Sequence, residues 1–212
     1  MTINTNRWNI IRYTLYSPGY DLIAGYFNES RRKSIESLNI KAGDKVLIIG
    51  AGTGLDLEFL PQNCEIFATD ITPSMIEYLK KRNKVLNRQV QALVMDGQVL
   101  EFEDNTFDCI ILHLILAVIP NPIACIKESE RVLKHNGQIA IFDKFVRKGR
   151  IISTKRRMAN VITNFLFSDI TRSFESIAGH TGMKVTMDVD ADFNGNFRRI
   201  KMEKDESCSD VV

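Results

Sequence analysis

The sequence predicts an α/β protein built on one doubly wound, mostly parallel sheet of seven strands that ends in an antiparallel C-terminal hairpin. Three observations carry that expectation. Short β-branched runs alternate with segments of helical period along most of the chain. The first of these runs, Val46-Leu47-Ile48-Ile49, is apolar throughout and stops at Gly50, as a strand buried on both faces should. Near the end, the strand-like segments Lys184 to Asp190 and Phe197 to Met202 flank Asn194-Gly195, a strong hairpin signal.

Taken in order, Arg7 to Leu38 reads as largely helical and carries the aromatic residues Trp8, Tyr13, Tyr16, Tyr20, Tyr26 and Phe27. Residues 1–40 are therefore expected to form a helical lid. Trp8, Ile11, Arg12 and Leu15 are candidates for closing over a bound ligand, and Tyr16 and Tyr20 either line a pocket or pack as ordinary aromatics. After the first strand, Leu55 to Leu60 begins a helix. Glu65 to Thr69 is the second strand and ends at Asp70. Pro73 then takes the first helical position after Thr72, with Met75, Ile76 and Leu79 on one stripe. Val90 to Met95 and Phe107 to Leu112 are the third and fourth strands. Ile123 to Leu133 is a helix with Ile126, Ser129, Val132 and Leu133 at helical spacing, and Asn136-Gly137 turns into a fifth strand, Gln138 to Phe142. Residues 144–182 read as a basic, amphipathic helical segment. The hairpin completes a single domain over residues 1–204, and the polar, acidic end of the chain, 205–212, reads as a tail.

Composition sets the class. The chain has 212 residues with 28 Lys plus Arg against 26 Asp plus Glu, 44% apolar and 25% charged, which is ordinary globular usage. A domain of this length buries roughly 70% of the surface its unfolded chain exposes, so it needs no disulfide or metal staple. A formal charge of +2 provides no global field for nucleic acid. Cys64, Cys109, Cys125 and Cys208 lie far apart without a paired spacing, and Cys109 and Cys125 read as buried thiols, which fits a reducing cytoplasm. The N-terminus has no apolar core of a signal peptide. The most apolar run, Cys109 to Ile119, is far shorter than the ~20 residues of a spanning helix.

Three signals carry chemistry. Gly50-Ala51-Gly52-Thr53-Gly54 lies directly between a strand and a helix, where glycines let the chain turn sharply and a ligand lie against the backbone. The spacing is GxGxG, and Leu55 stands where a pyrophosphate-binding loop needs its last glycine, which disfavours a nicotinamide cofactor. Asp70, 20 residues after Gly50, ends the second strand, where a carboxylate can accept both hydroxyls of a ribose. Alone, Asp70 reads as a helix cap too. Asp96-Gly97 follows the third strand; there a carboxylate can accept from an adenine amino group, or the pair is a simple turn. All three fall at successive strand ends, where an open α/β sheet binds its ligand.

These residues, with Ala68-Thr69-Asp70-Ile71-Thr72-Pro73-Ser74-Met75, Phe102 to Asp108 and Arg131 to Gly137, resemble a class I S-adenosylmethionine-dependent methyltransferase of Rossmann-like fold. The resemblance runs from about Tyr20 to Met202. Tyr20-Asp21, Arg31-Arg32 and Val118-Ile119-Pro120-Asn121-Pro122 are most similar to its small-molecule branch, the quinone C-methyltransferases and the bacterial phosphatidylethanolamine N-methyltransferases. The resemblance implies S-adenosylmethionine as cofactor, S-adenosylhomocysteine as product, and no metal. It implies that Gly50, Gly52 and Gly54 pass under the methionyl part, Asp70 holds the ribose, Ile71 covers an adenine face and Asp96 holds the adenine amine. Tyr20, Ala51, Met75 and Gly97 complete the implied cofactor set, and His113 is the implied catalytic residue beside the transferred methyl. One position departs: Ile48 stands where the family usually carries an acid that anchors the methionine amine.

The reaction so implied is an in-line displacement that works largely by alignment and desolvation. The acceptor is expected to be small or amphiphilic, with an amine such as a phospholipid headgroup favoured over C- or O-methylation of a quinone precursor. A cofactor-binding protein without turnover is the rival from another class. Seven basic residues and no acid lie from Lys144 to Arg157, followed by the stripe Met158, Val161, Ile162, Phe165, Leu166 and Ile170. Such a pairing suits peripheral membrane contact through 144–170, or a core-packing helix with a solvated basic face. It is also the sole support for an RNA substrate, which is disfavoured. His135 and His180 read as surface residues and Lys144 as a solvated loop lysine.

Overall fold

A computed structural model describes residues 4–146, 171–192 and 196–206, the side chain of Ile23 excepted. Seven strands form one sheet in the order β3-β2-β1-β4-β5-β7-β6. These are β1 Lys45–Ile49, β2 Glu65–Asp70, β3 Val90–Val94, β4 Phe107–His113, β5 Leu133–Lys144, β6 Lys184–Asp190 and β7 Phe197–Glu203. The first five pair in parallel, whereas β7 runs antiparallel to both β5 and β6. The helices are α1 Asn6–Tyr16, α2 Tyr20–Ala24, α3 Asn28–Glu36, α4 Pro73–Leu86, α5 Pro122–Val132 and α6 Phe174–Ala178.

The period of two along each strand sorts apolar side chains to two cores, one per face. Leu47, Ile49, Ile110, Leu112, Ile139 and Ile141 pack under α5 and α6 against Cys125, Ile126, Phe174 and Ile177. Val46, Ile48, Ile66, Ala68, Cys109 and Ile111 pack on the other face against Ile35 of α3, Leu57 and Leu79 of α4. The stripe read from Met75, Ile76 and Leu79 is this buried face of α4. Burial pushes the Cys109 and Cys125 thiols up to about 12, as inert core thiols should be. Cys208 lies outside the described residues.

Local chemistry explains where the structure departs from expectation. Leu55 to Leu60 is a short 3-10 turn, Leu55–Phe59, because Leu60 precedes Pro61 and is extended. β5 begins at Leu133, earlier than the expected Gln138, and absorbs the Asn136-Gly137 turn as a left-handed irregularity at Asn136. Glycine is required next to it: a Cβ on Gly137 would meet Leu133 Cδ1 at 2.7 Å. β7 runs to Glu203, and Lys204 beyond it is tied to the carbonyls of Glu130 and Leu133. Lys144 is the half-buried last residue of β5, its ammonium 5.5 Å from the centre of the Phe197 ring, and not a loop lysine. His135 and His180 are exposed, as expected. The Asn194-Gly195 turn and residues 147–170, including the basic run from Arg147 and the stripe after it, lie outside the described residues.

Candidate active site

Chain order reverses between β1 and β4, and a cavity opens at the C-terminal ends of β1, β2 and β4, the switch point of the sheet. It lies between the strand ends and the lid. β1 delivers Ile49 and Gly50 to its floor. The chain turns there through Gly50, Gly52 and Gly54, all with positive φ. Gly50 has φ +70°, and a Cβ on it would meet Ile115 Cδ1 at 2.7 Å. A Cβ on Gly52 would sit 3.6 Å from the Tyr20 ring, in the gap between loop and lid.

Asp70, from the end of β2, holds this loop. Its carboxylate accepts from the Gly52 N–H at 2.9 Å and from the Thr72 N–H at 2.8 Å, one on each oxygen. Burial raises its pKa above the ordinary value and the two N–H bonds only partly offset this. Each oxygen keeps acceptor capacity for a ligand. Asp96 is set in the same way at the adjoining strand end, accepting from the Gln98 N–H at 2.9 Å and from Asn6 Nδ2 of α1 at 2.6 Å. The lid therefore closes directly onto the sheet.

Tyr13 of α1 and Tyr20 of α2 form the aromatic wall, their ring centres 6.1 Å apart in an edge-on arrangement. Burial raises both phenols, so they stay neutral. Asp21 anchors the lid from outside: it accepts from Thr53 Oγ1 of the glycine loop and pairs with Arg82 of α4.

His113 ends β4 at the cavity wall and is buried. Its Nδ1 lies 2.7 Å from Asp56 Oδ1 and its Nε2 lies 3.0 Å from Ser34 Oγ. Asp56 also receives Arg31 Nη1 at 2.9 and 3.0 Å. Burial alone would raise the Asp56 carboxyl; Arg31 and His113 outweigh it and hold it well below the usual range. Leu114 follows with φ +59°, a left-handed conformation that a bulky residue rarely adopts and that here turns the chain back over the cavity. Ile48 packs within the core beside Leu57 and Ile111 and does not line the cavity. A buried carboxylate does stand on that face of the sheet, Asp56, engaged by Arg31 and His113.

Of the residues singled out in the sequence, Tyr20, Gly50, Gly52, Asp70, Ile71, Met75, Asp96, Gly97 and His113 meet around this cavity. Ala51 and Gly54 do not line it: Ala51 belongs to the core, and Gly54 packs against Leu57 and Leu79. The face that α1 presents is Asn6, Asn9 and Tyr13, not Trp8, Ile11, Arg12 and Leu15, and Tyr16 stacks edge-on behind Tyr13. Asn6, Asn9 and Tyr13 sit at i, i+3 and i+7, a polar stripe that an apolar-periodicity reading passes over. Ile115, Val118 and Ile119 also line the cavity, from the loop after β4.

The cavity fits an adenosine-containing ligand by its own features: a side-chain-free loop under an aromatic wall, and two strand-end carboxylates facing it. Residues 47–141 match the profile of a methyltransferase domain. The chain is 30% identical over 146 residues to a phosphatidylethanolamine N-methyltransferase of Cereibacter sphaeroides, covering 66% of this chain and 70% of the relative. It is also 30% identical over 117 residues to a demethylmenaquinone methyltransferase of Staphylococcus saprophyticus, spanning 53% of this chain and half the length of that relative. The fold superposes on the YcgJ protein of Bacillus subtilis with a TM-score of 0.71 at 15% identity, over 84% of this chain and 99% of that one. The chain belongs to the class I S-adenosylmethionine-dependent methyltransferases.

Proposed function

We propose that this methyltransferase acts on a small amphiphilic amine, and that its acceptor is a phospholipid headgroup of the phosphatidylethanolamine type. The observation that carries the reading is the lid. Leu15 of α1 and Leu22 of α2 are 72% and 89% exposed, on the helices that close the cavity with Tyr13 and Tyr20, and Tyr26 in the turn after α2 is 67% exposed. Large apolar side chains exposed on the lid of a site suit a substrate presented at a lipid surface. No helix among the described residues is long and apolar enough to cross a membrane.

S-adenosylmethionine, when bound, supplies a methyl group on a sulfonium, ready for in-line displacement. The chain's part is to bind, align and keep water out. Asp70 holds the ribose and Asp96 the adenine end, the glycine loop passes under the methionyl part, and the neutral Tyr13 and Tyr20 phenols bound the space above. An amine sheds one proton to solvent to attack as its free base, and the methylated ammonium that forms can return another to solvent after transfer, which asks little of a protein base. His113, with both ring nitrogens engaged, serves as a positioning residue in this scheme. Ile48 leaves the methionine amine without the family's usual acid, and the loop and aromatic wall carry that end.

Incubation with methyl-labelled S-adenosylmethionine and phosphatidylethanolamine vesicles is expected to label the lipid. Pure phosphatidylcholine vesicles, whose nitrogen is already fully methylated, are the blank. Leu15→Ser with Leu22→Ser should lower the rate on vesicles and leave S-adenosylhomocysteine affinity unchanged by calorimetry. Labelling of a demethylmenaquinol with none of phosphatidylethanolamine would replace this reading by C-methylation of a quinone. Cofactor affinity with no transfer to either would remove both.

A further inference from the structure

The group in the cavity left without a role is the Asn9 amide. Asn9 faces the cavity from α1 and is only 4% exposed. Its Nδ2 donates to the Val118 carbonyl at 3.4 Å, which also accepts from Asn4 Nδ2 at 2.7 Å. That contact fixes which way the amide points. A carbonyl can only accept, so the nitrogen faces Val118 and the oxygen faces away. Asn9 Oδ1 is buried and has no hydrogen-bond partner among the described residues. Native proteins leave few such acceptors, and each calls for a reason.

The helix supplies the context. Asn6, one turn earlier, is closed by its bond to Asp96, and Tyr13, one turn later, lines the same wall. Asn9 stands between them with its acceptor unpaired. An apolar residue of similar shape would remove an unpaired buried acceptor and lose only a 3.4 Å bond to a carbonyl already paired with Asn4, so an amide here points to a bound state in which the oxygen is paired.

We infer that Asn9 Oδ1 accepts a hydrogen bond from an N–H or O–H group of the molecule held in the cavity, so that α1 closes on ligand as well as on Asp96. This rests on the cavity being the S-adenosylmethionine site. Two sources carry such a donor: the amino and hydroxyl groups of the nucleoside cofactor, and the amine of the methyl acceptor.

Asn9→Leu removes the acceptor at nearly constant shape, and Asn9→Asp keeps one. Three measurements separate the cases: thermal unfolding without ligand, calorimetry with S-adenosylhomocysteine, and initial rates against phosphatidylethanolamine vesicle concentration. Asn9→Leu is expected to unfold no lower than wild type without ligand. Binding of S-adenosylhomocysteine weakened about tenfold by Asn9→Leu and restored in Asn9→Asp assigns the bond to the cofactor. Unchanged S-adenosylhomocysteine affinity with a KM for the vesicles raised about tenfold assigns it to the acceptor. Unchanged affinity and KM overturn the inference. So does weaker binding that comes with a lower unfolding temperature and is shared by Asn9→Asp, since that marks a structural amide. If wild type fails to bind S-adenosylhomocysteine, the reading of the cavity falls first.

Discussion

His113 Nδ1 stands 2.7 Å from Asp56 Oδ1 beneath the cavity wall, and the same carboxylate is gripped by Arg31 at 2.9 Å. An ionised carboxylate only accepts, so Nδ1 donates to Asp56, and Nε2 lies 3.0 Å from the Ser34 hydroxyl. Ser34, His113 and Asp56 are thus strung like a hydrolytic triad, but Ser34 is fully buried and does not line the cavity. The cluster joins α3, the 3-10 turn and β4. What His113 turns toward the cavity is the carbon edge of a ring held at both nitrogens.

A general base contributes about 10²–10⁴-fold to a rate. His113→Gln is therefore expected to lower kcat on phosphatidylethanolamine vesicles by about tenfold or less, with the pH dependence of kcat unchanged. A loss beyond about 100-fold with a flattened pH profile would make His113 the base.

Asp56→Ala should strip the compensation from a buried guanidinium and cost about 3–5 kcal/mol by urea unfolding at neutral pH. The pH dependence follows from its sign. The folded carboxyl lies well below its ordinary 3.8, so its contribution is complete above that value and disappears as pH falls through the folded value. The gap between wild type and Asp56→Ala should hold from neutrality down to about pH 4 and close only in stronger acid. A gap already closing near pH 6 would mean that another group carries it.

Asp70 titrates in the opposite sense. Burial raises its folded pKa above 3.8, so it takes up a proton earlier than a free aspartate as pH drops. A neutral carboxyl accepts hydroxyl hydrogen bonds less well, and S-adenosylhomocysteine affinity should weaken on acidification with a midpoint above the free-aspartate range. Asp70→Ala should abolish both the affinity and its pH dependence in calorimetry. The idea fails if the inflection survives the substitution.

Much of this was legible in the sequence because strands and glycine loops announce themselves locally. Val46 to Ile49 followed by Gly50, Asp70 at a strand end and Asp96-Gly97 after the next carry their placement in immediate neighbours. The lid was harder. Asn6, Asn9 and Tyr13 reach the cavity only because α1 folds back over the strand ends, and no local pattern marks a polar stripe as the inner face. The Arg31–Asp56–His113 cluster joins residues from positions 31 to 113 and leaves no periodic trace. The resemblance implies His113 beside the transferred methyl, and the apolar run around it reads as core; neither names its partners Asp56 and Ser34. β5 absorbed a turn signal for a similar reason: pairing with β4 and β7 overrode the preference of Asn136-Gly137.

Gly50 offers a test of the loop that needs no ligand. At φ +70° any other residue carries a left-handed penalty of about 1–2 kcal/mol. Gly50→Ala also drives a methyl to 2.7 Å from Ile115 Cδ1 and 2.8 Å from its Cγ1, an overpacking of about 1–3 kcal/mol. Ile115→Ala deletes both of those atoms and leaves its own Cβ at 3.1 Å, a distance small shifts can absorb. The two substitutions should therefore couple: the double variant should be more stable than the sum of the single losses predicts, by about 1–2 kcal/mol, and still below Ile115→Ala by the left-handed penalty. Urea unfolding of the four proteins measures both quantities. Strict additivity would mean that Ile115 swings clear unaided, leaving the backbone conformation as the whole reason for glycine at this turn.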